Sequence, residues 1–317
     1  MNSPSQLKIL SAVWRNPELS RGDLCNLVGL HANTITRMVE ALLRKGYLRE
    51  GGSTQRGLRG RPRIPLEVDP SRTCVGGLAI GAGAVEAVTL NLRGEPQTEA
   101  SRVEATGAPG ITKAVAALLR NLLRNNPLAL GISVTGFVDP QSLRILFSSA
   151  TPGAEVDLAP LMSRVGETPF VLNSEVHALS ARWLMNHVEA EHDDTLVVIL
   201  EDGAVGASLL VEGRPNRGCV LGGNELGHMR LGVKTDRCYC GGVGCVERIF
   251  STDFLRRAGG NATLADALSG SPLKKAVREI VELTALALAN VTVFTRPQRI
   301  VIAGTLTKHL GFRRALE

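Results

Sequence analysis

The chain has 317 residues, 44% hydrophobic and 21% charged, with a formal net charge of +6. That length is too great for one small core and suits two or three domains. No run of about eighteen apolar residues occurs, which excludes a transmembrane helix, and the N-terminal apolar stretch is too short and interrupted for a signal peptide. A cytoplasmic protein is expected. The charge is uneven: residues 1–70 hold eleven Lys and Arg against six Asp and Glu, leaving 25 against 24 in the rest. A basic excess confined to one small domain points to a polyanion partner.

Ser5 to Arg15 carries a helical stripe, Leu7, Leu10, Ala12, Val13 and Trp14. Ser20, with Asp23 three residues on, starts a second helix in the manner of a capping box, and Gly29 ends it. A third helix over 32–45 turns Ile35, Met38, Val39, Leu42 and Leu43 inward. Two short helices joined at a glycine predict a helix-turn-helix, whose second helix presents polar residues to the major groove. The candidates are His31, Asn33, Thr34, Thr36 and Arg37, some of them contacting phosphate alone. Strands at 47–50 and around Leu66 and Val68 enclose a Gly-rich loop with Arg56, Arg59, Arg61 and Arg63. Such a wing can reach phosphates or a narrow minor groove. The N-terminal domain, residues 1–70, is therefore predicted to be a winged helix-turn-helix.

From Thr73 strands alternate with helices and glycine hairpins. Strands are predicted around CVGGLAIG and the stretch before Gly94, over 128–134, 170–173, 195–200 and 206–211, and at 299–303. Helices are predicted over 111–125, after Asn173 through Val188, and over about 273–294, with 251–259 standing between the 222–247 stretch and the last of them. This is α/β with two lobes across residues 73–317.

The stretch 222–247, GGNELGHMRLGVKTDRCYCGGVGCVE, places one histidine and three cysteines within eighteen residues. His228, Cys238, Cys240 and Cys245 form the ligand set of a structural Zn²⁺ site, four N or S donors with no position left for water. Gly241, Gly242 and Gly244 suit a chain turning tightly around a metal. The clustering fits a reducing compartment and leaves Cys25, Cys74 and Cys219 as small hydrophobes. Glu225 and Glu247 are not needed as ligands and are candidates for binding a polar small molecule.

On the segments LAIGAGAVEAVTLNLRGE, GISVTGFVDP, VLNSEVHAL, DGAVGASLLVEGRPNRG, GGNELGHMRLG and CYCGGVGCVE, the body resembles the ROK family (repressor, open reading frame, sugar kinase). The resemblance implies a two-lobed, actin-like sugar-kinase fold, and a winged helix in front of it is the arrangement of that family's repressors. It also implies sugar contacts at Asn173, Glu225, His228 and Glu247, with one His228 ring nitrogen on the metal and the other on the ligand. The family's catalytic Asp falls at Ser174, which cannot act as a base unaided. Its phosphate-binding turn reads Ala79, Ile80, Gly81, Ala82, Gly83, without acid or threonine. Base and phosphate clamp are both damaged, so no kinase activity is expected. Glu175 stands one residue along, where its carboxylate is expected to point elsewhere. Asn224, Glu175 and His177 add polar groups that either alter the ligand or sit on the surface. The chain stops at Glu317, where relatives continue, which also weighs against ATP binding.

The expectation is a sugar-responsive repressor, a homodimer or higher oligomer on palindromic operator DNA. The alternatives are an ATP-dependent sugar kinase carrying a DNA-binding domain, or a regulator that binds DNA without a ligand.

Overall fold

The helical stripes at the N-terminus form α1 (Pro4–Arg15), α2 (Arg21–Val28) and α3 (Ala32–Arg44). The computed structural model describes residues 4–52, 63–151, 153–216, 223–257, 264, 267 and 275–316. Arg56, Arg59, Arg61, Cys219 and Gly222 lie outside the described residues. Ile9, Val13, Leu24, Ile35, Val39 and Leu42 bury the inner faces of the three helices together. β1 (Leu48–Glu50) pairs antiparallel with β2 (Leu66–Val68), Leu48 opposite Val68, and both residues close the same core.

The capping box is formed in full. Ser20 Oγ accepts from the Asp23 amide, while the Asp23 carboxylate accepts from the Ser20 amide at 3.0 Å and hydroxyl at 2.6 Å. Those Ser20 hydrogen bonds, the hydroxyl's first, hold the Asp23 carboxyl below its ordinary range. Ser20→Ala is expected to cost the helical domain about 1 kcal/mol at neutral pH. Asp23 has a depressed pKa, so its contribution is present above the unfolded value of about 3.9 and fades as pH falls through the folded one. The difference between the melts of the two proteins should therefore narrow as pH falls below the unfolded value, leaving the share that comes from Ser20 Oγ accepting the Asp23 amide.

The body holds two main sheets. In the first, β3 (Cys74–Gly81), β4 (Ala84–Asn91) and β5 (Ser101–Glu104) form an antiparallel meander. β6 (Leu130–Val134) lies parallel to β3, and β10 (Phe170–Ser174) parallel to β6, giving the order β10-β6-β3-β4-β5. α4 (Gly107–Arg124) covers this sheet with Ile111, Val115, Leu118, Leu119 and Leu122, spaced to share one helix face. A small sheet of β7 (Gly136–Asp139), β8 (Arg144–Ser148) and β9 (Val156–Asp157), which the sequence reading did not anticipate, lies between β6 and the short helix α5 (Ala159–Met162) in chain order.

α6 (Glu175–Asn186) carries the chain from β10 in the first sheet to β11 (Thr195–Glu201) in the second. There β12 (Ala204–Val211) pairs antiparallel with β11, β13 (Arg214–Pro215) follows, and β14 (Arg299–Ala303) lies parallel to β11 on the other side. Gly206 lies within β12, where a Cβ would come within 3.2 Å of Val176. The core beneath this sheet joins Leu196, Val198 and Leu200 to α7 (Val246–Ile249), α8 (Thr252–Arg257), α9 (Lys275–Thr295) and α10 (Leu310–Leu316) through Ile249, Phe254, Val277, Ile280 and Phe312. No helix among the described residues is long and apolar enough to cross a membrane.

Among the described residues, three polar contacts tie the N-terminal domain to the body. Trp14 Nε1 donates to the Leu92 carbonyl at 2.9 Å, Arg93 pairs with Glu67 at 3.2 Å, and Arg15 pairs with Glu191 at 2.5 Å.

Candidate functional site

A cleft, partly open to solvent, lies between the ends of β6 and β10 on one side and the β11–β12 hairpin with residues 223–225 on the other. Carboxyl ends of parallel strands are where α/β sheets place their ligands. The first wall presents Thr135, Ser174, Glu175 and His177; the second presents Glu201, Asn224, Glu225, Tyr239 and Glu247.

Two hydrogen-bonded pairs organise the first wall. Thr135 Oγ1 donates to Glu175 at 2.7 Å, and Ser174 Oγ lies 2.7 Å from His177 Nδ1. Here the structure corrects one expectation, because Glu175 does not point elsewhere. The strand ends at Ser174, the N-cap of α6, so alternation stops there and consecutive residues both face the cleft. Asn173, still in strand geometry and paired with Ser133 of β6, is not among the residues lining it. Glu175, His177 and Asn224 are cleft residues and not surface ones.

On the second wall Glu247 is 4% exposed and accepts from the Val205 amide at 3.4 Å and from Tyr239. Burial raises the Glu247 carboxyl above its ordinary range. Burial, with the Glu247 charge nearby, pushes Glu225 up to about 7. Asn224 takes a left-handed backbone, φ 71°, a conformation asparagine tolerates, and its amide donates to the Asn216 carbonyl. Glu201 is bound by the Thr305 amide at 2.9 Å and by its hydroxyl. Among the described residues the lining contains four glutamates and no lysine or arginine.

Behind this wall His228, Cys238, Cys240 and Cys245 bring their ligand atoms within 4.8 Å of one another. Cys238 Sγ lies 3.6 Å from His228 Nδ1, and Cys240 Sγ lies 3.7 Å from Cys245 Sγ. A tetrahedral zinc, with Zn–S about 2.3 Å and Zn–N about 2.0–2.1 Å, has edges of about 3.6–3.8 Å. The four residues therefore fit a metal ion. Gly241 and Gly244 take positive φ in the turn between the ligands, as a tight turn requires. Burial lowers the His228 pKa, favouring the neutral imidazole that a metal needs. The ring is held edge-on by Phe147 and Tyr239 at centroid distances of 5.4 and 5.2 Å. Its Nε2 lies 3.8 Å from Glu225, so His228 joins the cluster to a cleft carboxylate without lining the cleft itself.

The nucleic-acid candidates that the structure describes occupy the start of α3 and the base of the wing. His31, the N-cap, and Asn33 and Arg37 are exposed, while Thr34 and Thr36 are half-buried. Arg63 is exposed and lies 3.4 Å from Asp23. Thr135, Glu201 and Tyr239 were missed from sequence. The first two follow or end apolar strands, the positional signal that could have found them, and Tyr239 stands between two metal-cluster cysteines.

The chain's similarity to known proteins agrees with this architecture. The model of the ROK family matches residues 75–317, and that of a winged helix-turn-helix DNA-binding domain matches residues 3–49. The chain belongs to the ROK family. It is 23% identical over 310 residues to the xylose repressor of Caldicellulosiruptor bescii, covering 94% of this chain and 73% of that protein. To the xylose repressor of Bacillus subtilis it is 22% identical over 250 residues, 77% of this chain. It spans 63% of the putative xylose repressor of Caldicellulosiruptor sp. (strain Rt8B.4) and 64% of the B. subtilis protein. The crystal structure of a ROK family transcriptional regulator, a homologue of the E. coli MLC protein, superposes with a TM-score of 0.77 at 18% identity, covering 98% of this chain and 87% of that one. A ROK family glucokinase from Streptomyces griseus, in complex with glucose and AMPPNP, gives 0.61 at 21% identity over 77% of this chain and 89% of that one. The similarity favours the regulatory over the catalytic members of the family.

Proposed function

We propose that the chain is a DNA-binding transcriptional repressor whose cleft senses a saccharide carrying no phosphate, either uncharged or bearing an amine, and that it has lost kinase activity. The observation that carries this reading is the cleft lining: four glutamates and no cationic side chain among the described residues, in a chain headed by a winged helix. Carboxylates accept from adjacent sugar hydroxyls and attract an ammonium, whereas a phosphate would find no lysine or arginine among the described lining residues to pair with. Glu225 and Glu247 supply the core of the ligand contacts, joined by Thr135, Glu175 and His177, and His228 fixes Glu225 from behind. Asn173 is the weakest of the sequence-derived contacts because it stands off the cleft. The cluster of His228, Cys238, Cys240 and Cys245 holds a structural zinc ion, which orders residues 228–245 and does no chemistry. DNA is contacted by His31, Asn33, Thr34, Thr36 and Arg37 of α3 and by Arg63, with Arg56, Arg59 and Arg61 on the wing. The chain acts in the cytoplasm as a homodimer on a two-fold operator.

One observation favours a second reading. Glu175 does face the cleft and could take a proton from a sugar hydroxyl, the role of a kinase base. Against it, Glu201 adds a carboxylate to the same cleft, and none of residues 79–83 lines it. Both readings are separated by one thermal-shift panel of xylose, glucose, glucosamine, glucosamine 6-phosphate and MgATP. Unphosphorylated sugars should raise the body's melting temperature, on the order of 5–10 °C at about a hundred times Kd. Stabilisation by the phosphate ester or by MgATP, with ATP turnover lost in Glu175→Gln, would establish the kinase instead.

A further inference from the structure

The last turn of α1 touches both halves of the body through consecutive residues. Trp14 donates to the carbonyl of Leu92, which follows β4 in the first sheet and packs on the core of the winged helix. Arg15 pairs with Glu191, in the segment between α6 and β11 that leads into the second sheet.

Glu191 is firmly set in that second half. Two residues on, Asp193 pairs with Arg299 of β14 at 2.6 Å, and Asp194 accepts from the Glu212 amide at 2.8 Å. Gly213, in the β12–β13 turn, packs so closely that a Cβ there would lie 1.9 Å from the Glu191 carbonyl oxygen. At its other end the same stretch of chain begins in the cleft, where Ser174, Glu175 and His177 line one wall. α6, twelve residues and about 18 Å long, connects the two ends as a single rod.

We propose that the last turn of α1 is a two-point gauge of lobe separation. A ligand in the cleft moves Glu191 relative to Leu92, and the winged helix, held to both, is reoriented or released at Arg15. The inference rests on the sensor reading above. Two packed halves around a cleft move by hinge or shear when it fills. A domain fastened to both halves has different contacts in the two arrangements, and that difference is the coupling between ligand and DNA. Trp14 on Leu92 is the pivot and Arg15 on Glu191 the moving contact. The pair is part-exposed, 25% and 46%, so its share of the change in DNA affinity is at most about fivefold.

The test uses the full chain, DNA fragments selected for binding to it, and xylose and glucosamine as probes, with DNA affinity read by fluorescence anisotropy. Arg15→Met and Glu191→Ala should keep probe affinity and ligand-free DNA affinity within about twofold, yet cut the change in DNA affinity that the probe causes in the native chain by up to about fivefold. The exchange Arg15→Glu with Glu191→Arg should restore it. By linkage, DNA should alter probe affinity in the native and exchanged chains, and less in the single variants by the same factor. Single variants that keep the full response overturn the gauge, as does a native chain that binds probe and DNA without mutual effect. In both cases the sensor's pocket stands. Failure of every saccharide to bind would instead remove the sensor reading on which the gauge depends.

Discussion

Replacing Cys245 with serine is expected to remove the metal and with it the response to ligand, while leaving DNA binding nearly intact. Cys245 is fully buried, its sulfur 3.7 Å from that of Cys240, and the next residues begin α7, which carries Glu247 into the cleft. Without a metal the loop has no ion to gather His228, Cys238 and Cys240, and His228 no longer holds its ring beside Glu225 at 3.8 Å. Loss of a metal belongs to the short list of changes that cost on the order of 4 kcal/mol. That loss should fall on the second lobe, whose core includes Val246 and Ile249, and not on the winged helix, whose core is separate. Metal analysis, melts and anisotropy on DNA with and without glucosamine check the three parts. Chelation of the native protein should reproduce them. If ligand response and DNA binding were lost together, the division of labour between loop and winged helix would be wrong.

Gly227→Ala is expected to weaken ligand binding at least about tenfold with the metal retained. Gly227 sits between Glu225 and His228, and a Cβ on it would lie 2.3 Å from the Val205 carbonyl oxygen and 2.8 Å from Glu247 Oε2. Either β12 shifts at Val205 or the Glu247 carboxylate swings out, and both line the cleft. Overpacking of this kind costs about 1–3 kcal/mol. Here the cost falls on the bound geometry, so affinity should drop at least about tenfold by calorimetry. Unchanged affinity for a saccharide that stabilises the native chain would place the ligand elsewhere.

What could be read from sequence follows from how local each signal is. The winged helix was legible because its helices carry a 3.6-residue stripe and its second helix a capping box within four residues, Ser20 to Asp23. The grouping of His228, Cys238, Cys240 and Cys245 was legible because the four residues capable of holding a metal fall between 228 and 245. The cleft was only half legible. Its walls come from the ends of strands far apart in sequence, and the resemblance to kinases fixed attention on Asn173 when the strand-to-helix change at Ser174 turns Glu175 and His177 inward. The small sheet was missed because its strands are two to five residues long, yet its Phe147 props His228. Nothing in the sequence signals that Trp14 and Arg15 meet residues 78 and 176 positions away.

The three hydrophobic clusters, one under α1–α3, one under α4 and one under β11 and α9, share no buried residue. Each is a separate packing unit, and chains with several such units are the ones that depart from two-state unfolding. A capping substitution at Ser20, a cysteine lost from the metal cluster and an occupied cleft draw on different reservoirs. Their effects should add almost independently wherever the residues stand apart. The exception is the thin seam through Trp14 and Arg15, where the stability of one unit becomes information for another.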